Sequence, residues 1–341
     1  MRSVFSVVLI TLFAACGAPE APEQSAGNLN VYTARQYNSD QEIYKAFEEE
    51  TGIRVRFRDA SSPQLLETMK AEGDASPADI VIAPDVGTLW KFQDAGLLQP
   101  VTSDTLANAI PEKFRDPEGH WFGLARRARI IVYDPDRLNA EDISDYGVLA
   151  DESMKGEVCM RSSSNIYNLS LMAELIERWG EEDAANWANT VRDNFAREPQ
   201  GGDTVQIQSV AAGECSIAVV NHYYWVRMMT SDSSDQRDMA ESTAIVFPSV
   251  GAGTHVNITG AGVAAHAPNK DAAIRFMEFL ASERGQILLT DATKEFPIVE
   301  GTPLPTGLET LPDFISSDVP MLKLGENQSL AQTIYDKAGW K

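Results

Sequence analysis

Four of the nine tyrosines in this chain stand where a side chain is offered rather than packed. Tyr37 lies between an apolar strand-like run at 29–33 and a helical pattern at 39–51, the place where open α/β sheets hold their ligands. Tyr167 follows the polar run Ser162-Ser163-Ser164-Asn165 and precedes an apolar helical segment at 169–179, so it reads as a binding-loop residue. Tyr223 and Tyr224 stand in tandem directly after the apolar run 217–220. An ionised phenol is the most basic oxygen donor that a side chain supplies, and it suits a small, hard cation. The same rings could wall an aromatic cage around an organic cation, and tandem tyrosines are in general more often packing or interface residues. Tyr32 and Tyr133 fall inside strand patterns, and Tyr44 shares a helix face with Phe47; these three read as packing.

Other chemistry is thinly represented. There is no CxxC, no HExxH, no glycine-rich phosphate loop and no GxSxG elbow, so the chain offers no catalytic motif and reads as a non-enzyme. His120, His255 and His266 show no metal-ligand spacing, which disfavours zinc. His222 sits beside the tyrosine pair, but a strand-like backbone would point it away, so it reads as structural support. Arg127 and Arg227, the latter one helical turn beyond Tyr223, are the permanent cations best placed to balance phenolate charge without competing as ligands.

The amino terminus places the chain outside the cytoplasm. Met1-Arg2 leads into the apolar run 7–15 and then Cys16-Gly17, a short signal peptide with about half of the ~20 residues that a membrane span needs. Residues 1–16 read as a leader and 17–27 as a Pro/Glu/Ser spacer, similar to the lipobox and tether of a bacterial lipoprotein acylated on Cys16. Phe13 departs from the leucine usual there, and plain cleavage a few residues later is the alternative. A formal charge of −22 excludes nucleic acid as a partner, because such binding rests on phosphate neutralisation. Export allows Cys159 and Cys215, the remaining cysteines, to form a disulfide, with two buried thiols as the alternative.

About 310 residues remain after the leader and spacer, beyond the size of one growing core, which predicts two lobes. Strand-like runs at 29–33, 53–57, 78–83, 123–133, 156–160, 215–220, 244–248 and 260–265 alternate with helical patterns at 62–73, 86–95, 169–179, 182–192, 203–212 and 270–282. Such alternation predicts an α/β protein, with the run at 123–133 as the first crossover between lobes.

The order of these elements resembles the two-lobed (type II) periplasmic solute-binding proteins, and more closely the ferric iron-binding proteins of their cyanobacterial and marine branch. The residues that carry the resemblance are Val31-Tyr32-Thr33-Ala34-Arg35-Gln36-Tyr37, Arg126-Arg127-Ala128-Arg129, Arg161-Ser162-Ser163-Ser164-Asn165-Ile166-Tyr167 and Asn221-His222-Tyr223-Tyr224. The resemblance implies mixed sheets flanked by helices and joined by a two-strand hinge, with 28–127 and 248–300 in lobe 1 and 128–247 and 301–341 in lobe 2. It further implies an Fe³⁺ site on Tyr37, Tyr167, Tyr223 and Tyr224, with Arg127 alongside, and a monomer that hands its cargo, ferric or ferrous, to an ABC permease of the inner membrane. Gln36 stands where some relatives carry histidine. The competing expectation is a protein of the same architecture for a polyamine, thiamine or a carboxylate, with the tyrosines as cage and Arg127 as anion clamp.

Overall fold

A computed structural model describes residues 27–341 apart from Gln36 and Val250, so the leader, most of the spacer and Cys16 lie outside the described residues. The chain opens with β1 (Asn28–Thr33), α1 (Asp40–Thr51), β2 (Arg54–Asp59), α2 (Ser62–Glu72), β3 (Ile80–Ala83) and α3 (Val86–Asp94). β1 pairs in parallel with β2 on one side and β3 on the other, the arrangement that strand–helix alternation produces when each helix carries the chain back over the sheet. All four side chains of β3 are buried, which explains its unbroken apolar run. β2 forms an outer edge and exposes Arg54, Arg56 and Arg58. Gly96, at φ 68°, ends the α3 region in the left-handed conformation that glycine adopts without Cβ strain.

After α4 (Asp104–Ala109), the strand β4 (Phe122–Tyr133) runs for 12 residues and serves two neighbourhoods. The second begins with β5 (Val158–Cys159), α5 (Ile166–Trp179), α6 (Glu181–Asp193), α7 (Asp203–Ala211) and β6 (Ile217–Asn221). It ends with α8 (His222–Met229), α9 (Ser234–Glu241) and β7 (Ala244–Val246). The chain returns through β8 (Val256–Val263), α10 (Lys270–Leu280), α11 (Glu283–Asp291) and β9 (Phe296–Pro297), then closes with α12 (Met321–Glu326) and α13 (Gln328–Ala338). Residues 122–128 of β4 pair antiparallel with β8, and residues 129–133 pair with β6 and β7. β8 in turn pairs with β3, so the strands line up as β2-β1-β3-β8-β4-β6-β5. Gly262 lets β8 lie close to its neighbour, since a Cβ there would come 2.5 Å from the His120 carbonyl oxygen.

Two main cores follow from this path. One gathers Leu29, Val31, Phe47, Ile80, Leu124, Ile258 and Phe276. The other gathers Ile131, Tyr133, Leu171, Leu175, Trp187, Val219 and Trp340. The period of two in β4 is visible here: Ile131 and Tyr133 enter this second core, whereas Ile130 and Val132 face a third cluster with Cys159, Cys215 and Val220. The carboxy-terminal segment serves both main cores, with Met321 and Leu324 in the first and Ile334, Tyr335 and Trp340 in the second. Fully buried Asp85, the N-cap of α3, ties the halves together. It accepts hydrogen bonds from Gly87 N, Arg127 Nη2, Ser170 Oγ, Asn257 Nδ2 and Gln328 Nε2 at 2.8–3.3 Å.

Several boundaries differ from the sequence reading. The expected strand at 156–160 shrinks to Val158–Cys159, and the run at 260–265 proves to be the end of the longer β8. Asn165 accepts from Tyr167 N at 3.1 Å, so helix α5 starts at Ile166 and Tyr167 lies in its first turn rather than in a loop. His222 opens a helix, not a strand. The sulfurs of Cys159 and Cys215 are joined in a disulfide.

Candidate metal centre

The four singled-out tyrosines arrive from three places in the chain. Tyr37 comes from the β1–α1 connection, Tyr167 from the first turn of α5, and Tyr223 and Tyr224 from the first turn of α8. Tyr223 Oη donates to Tyr167 Oη at 3.2 Å, and Asn221 Nδ2 donates to Tyr223 Oη at 3.4 Å. The rings of Tyr223 and Tyr224 lie 4.5 Å apart. Tyr37 joins them through Arg227, whose guanidinium carbon lies 5.7, 4.7 and 4.9 Å from the ring centres of Tyr37, Tyr223 and Tyr224. Residues 37, 167, 223 and 224 are therefore neighbours in space across 187 positions of sequence (224 − 37). Tyr32, Tyr44 and Tyr133 are buried elsewhere, as their strand and helix positions predict. Tyr32 donates to Glu72, and burial, then that carboxylate, pushes its phenol up to about 12.

Arginines surround the phenols. Arg127, Arg129 and Arg161 hold their guanidinium carbons 5.1, 5.9 and 5.3 Å from the Tyr167 ring centre, and Arg35 lies 5.2 Å from that of Tyr37. Most are already neutralised. Arg35 pairs with Asp40 and Glu295, Arg127 with Asp85 and Glu295, and Arg129 and Arg161 share Asp203. Arg227 differs. Its Nε donates to the Tyr223 carbonyl at 3.4 Å, and among the described residues it makes no salt bridge and its buried Nη2 has no acceptor.

The electrostatics follow from this packing. Burial, reinforced by Glu295 and Tyr224 and opposed by Arg227 and Arg35, raises the Tyr37 phenol above its ordinary value. Burial and then Tyr224 raise Tyr167, against the pull of Arg127 and the hydrogen bond from Tyr223. Burial raises Tyr223 as well, with Tyr167, Tyr37 and Tyr224 adding to it. Burial works against the charge on Arg227, but Tyr37, Tyr223 and Tyr224 together hold it above the usual arginine value. The arrangement therefore holds protons on phenols that a sufficiently charged cation could displace.

His222 supports the pair rather than joining it, although for a reason the sequence reading did not anticipate. Its buried ring accepts from Ala128 N through Nδ1 at 3.1 Å, which leaves Nε2–H to donate to the Lys294 carbonyl at 3.1 Å, and it stacks on Phe296. Burial pulls its pKa down to about 3. His120 corrects the expectation that it has no metal-ligand neighbours: Asp116, Glu118 and His120 gather within 4.8 Å in a turn. The buried Asp116 carboxylate there is already engaged by His120 N and Nδ1 and by Gln93 Nε2. Sequence reasoning gave no role to Arg35, Arg129, Arg161, Glu295 or Asp85. Alternation in β4 was the available signal for one of them, since residues two apart share a face: Arg127 and Arg129 both reach Tyr167, whereas Arg126 turns away to the Pro297 carbonyl and the Phe296 ring.

Comparison with known proteins agrees with this architecture. Iron uptake protein A1 of Synechocystis is 41% identical over 348 residues, spanning 99% of this chain and 96% of that protein. The major ferric iron-binding protein of Neisseria meningitidis serogroup B is 27% identical over 327 residues, 94% of this chain and 96% of its own length. Among solved structures, Trichodesmium FutA (IdiA) in complex with iron and citrate ligands superposes with a TM-score of 0.88 at 41% identity, covering 92% of this chain and all of that one. The model of the bacterial extracellular solute-binding proteins matches residues 31–287, most of the chain and every element that carries the tyrosine cluster. With that match and those relatives, the chain belongs to the bacterial extracellular solute-binding protein family.

Proposed function

We propose that this protein captures ferric iron outside the cytoplasm and delivers it to an ABC permease, without chemistry on its cargo. In this reading, Tyr37, Tyr167, Tyr223 and Tyr224 bind Fe³⁺ as phenolates, and lobe 1 (28–127 and 248–300) closes on lobe 2 (128–247 and 301–341) about β4 and β8. The observation that carries it is the convergence of Tyr37, Tyr223 and Tyr224 on Arg227, with Tyr167 joined to Tyr223 by a hydrogen bond. Relatives named for iron over nearly their whole length support the same cargo. Four phenolates and Fe³⁺ leave one excess negative charge, which one cation offsets. Of the two candidates, Arg127 is already paired with Asp85 and Glu295, so Arg227 is the stronger counter-charge. The working form is a monomer in the periplasm, held to the membrane by acylation of Cys16.

Ferric phenolates absorb visible light, so the iron-loaded protein should be coloured, and elemental analysis should find one iron per chain. Phe at position 37, 167, 223 or 224 deletes only the donor oxygen; each change should weaken iron binding and shift or diminish the visible band with little loss of stability. The same change at Tyr32, Tyr44 or Tyr133 should leave the band in place. Four variants with wild-type colour and affinity would overturn the iron assignment.

A further inference from the structure

Three of the proposed ligands stand above two strands that one covalent bond joins at the base. Cys159 ends β5, and Cys215 lies two residues before β6; both are fully buried, with their Cα atoms 5.9 Å apart. Tyr167 follows Cys159 by eight residues (167 − 159), and Tyr223 follows Cys215 by the same eight (223 − 215). The segments that carry Tyr167 and the tandem pair therefore leave the disulfide as two arms of the same number of residues, with Cys159 level with Ala218 in the ladder.

The strand pairing beneath those arms is minimal. β5 has two residues, occupies the end of the strand order, and meets β6 only through Val158 with Ile217 and Cys159 with Ala218. A ladder that short is well below the ~5–6 residues of an ordinary strand. The arms also share apolar packing, Met160 with Ile217 and Val219 in one cluster and Cys159 with Ala218 and Val220 in another, and polar links stand nearer the tyrosines. Asp203 accepts from Arg161 Nη1 and Asn221 N, and Arg129 donates to Asn168 Oδ1 and Asn221 Oδ1. The hydrogen bond between Tyr167 and Tyr223 must open when both become phenolates, because neither then has a proton to share. That leaves two adjacent anions with less to hold their supports in register. The disulfide cannot slip.

We propose that the Cys159–Cys215 disulfide is a positioning element of the metal site, one that sets the separation of Tyr167 from the Tyr223–Tyr224 pair. It couples trivalent-metal affinity to the oxidation state of the cysteines. The proposal rests on the reading of these tyrosines as ligands. Its thermodynamic form is reciprocal: if oxidation raises metal affinity by a given factor, bound metal raises the equilibrium constant for oxidation by the same factor. The redox step is ordinary exchange, in which the protein dithiol reduces glutathione disulfide to two glutathione thiols and itself closes to the disulfide.

The experiment uses the full chain and gallium(III), a trivalent ion that thiols do not reduce, with ferric citrate as the coloured counterpart. The double variant Cys159→Ala/Cys215→Ala should keep its circular dichroism spectrum in the cold, bind gallium about tenfold more weakly and carry a displaced ferric band. In glutathione redox buffers, gallium should shift the dithiol–disulfide equilibrium of the wild-type protein toward disulfide by a matching factor. If the disulfide merely stabilises the fold, its removal would lower the melting temperature yet leave affinity and band position untouched in the cold, and that result overturns the proposal. Cys159→Val/Cys215→Ala, which restores volume, replaces the first variant if it does not fold. If neither folds, the redox equilibrium decides, and an equilibrium unmoved by gallium overturns the coupling. Failure of the wild-type protein to bind either metal would instead overturn the ligand reading.

Discussion

At the scale of single residues, the tyrosine cluster is a problem in charge rather than in shape. Arg35, Arg127, Arg129 and Arg161 reach the phenols with their own charge already matched by Asp40, Glu295, Asp85 and Asp203, whereas Arg227 has no carboxylate partner among the described residues. Removing Arg227 should therefore cost more ferric affinity than removing Arg127, and it should cost ferrous binding least, because Fe²⁺ relies less on phenolate. Titration of Arg227→Ala and Arg127→Ala with each ion checks this; equal losses for both variants would show that the carboxylates do not matter. These matches could not be read locally. Arg35 lies 260 residues from Glu295, and Arg127 lies 42 from Asp85, so no periodicity links them. The tyrosines were legible because each follows a strand or a polar turn at a sheet's ligand-binding end.

At the scale of elements, the helices that present ligands are held by their first turns. Asn165 caps α5 through Tyr167 N, so replacing it with Ala should cost about 1 kcal/mol of stability and tilt the first turn that carries Tyr167. Urea unfolding gives the first quantity and iron competition with citrate the second, and both should fall. A strand-like backbone is expected at His222, whose aromatic neighbours favour pleated surfaces, yet His222 opens α8. Packing overrides propensity there: His222 is buried against Phe296, and Val226 and Met228 fill the third cluster. The apolar runs of β3 and of residues 130–133 in β4 were legible for the opposite reason, since burial on both faces leaves no polar residue there to confuse the pattern. β5 was legible as a run at 156–160, but its two-residue extent was not, because so short a strand leaves no periodic trace of its ends.

At the scale of the whole molecule, the proposed phenolate site would make cargo binding and proton release one event. Because burial holds Tyr37, Tyr167 and Tyr223 above the ordinary phenol value, they keep their protons through neutral pH in the metal-free protein. Iron must displace those protons, so the logarithm of apparent affinity should rise with pH, with a slope equal to the number of protons released. Competition with citrate between mildly acidic and mildly alkaline pH measures that slope, and a value near zero would mean that the phenols do not ligate. The outer edge of the sheet carries a separate consequence. Among the described residues no strand pairs with the outer side of β2, where Val55 N donates to the Glu48 carboxylate but the rest of the edge invites a second copy to add its own strand. Arg54 and Arg56 make no salt bridge among the described residues and stand exposed on that edge, so two copies approaching edge to edge would oppose like charges. Replacing both with Thr should leave iron affinity unchanged but produce concentration-dependent association in sedimentation velocity. On this account the stripe would be colloidal insulation, keeping copies of a solute-binding protein dispersed from one another.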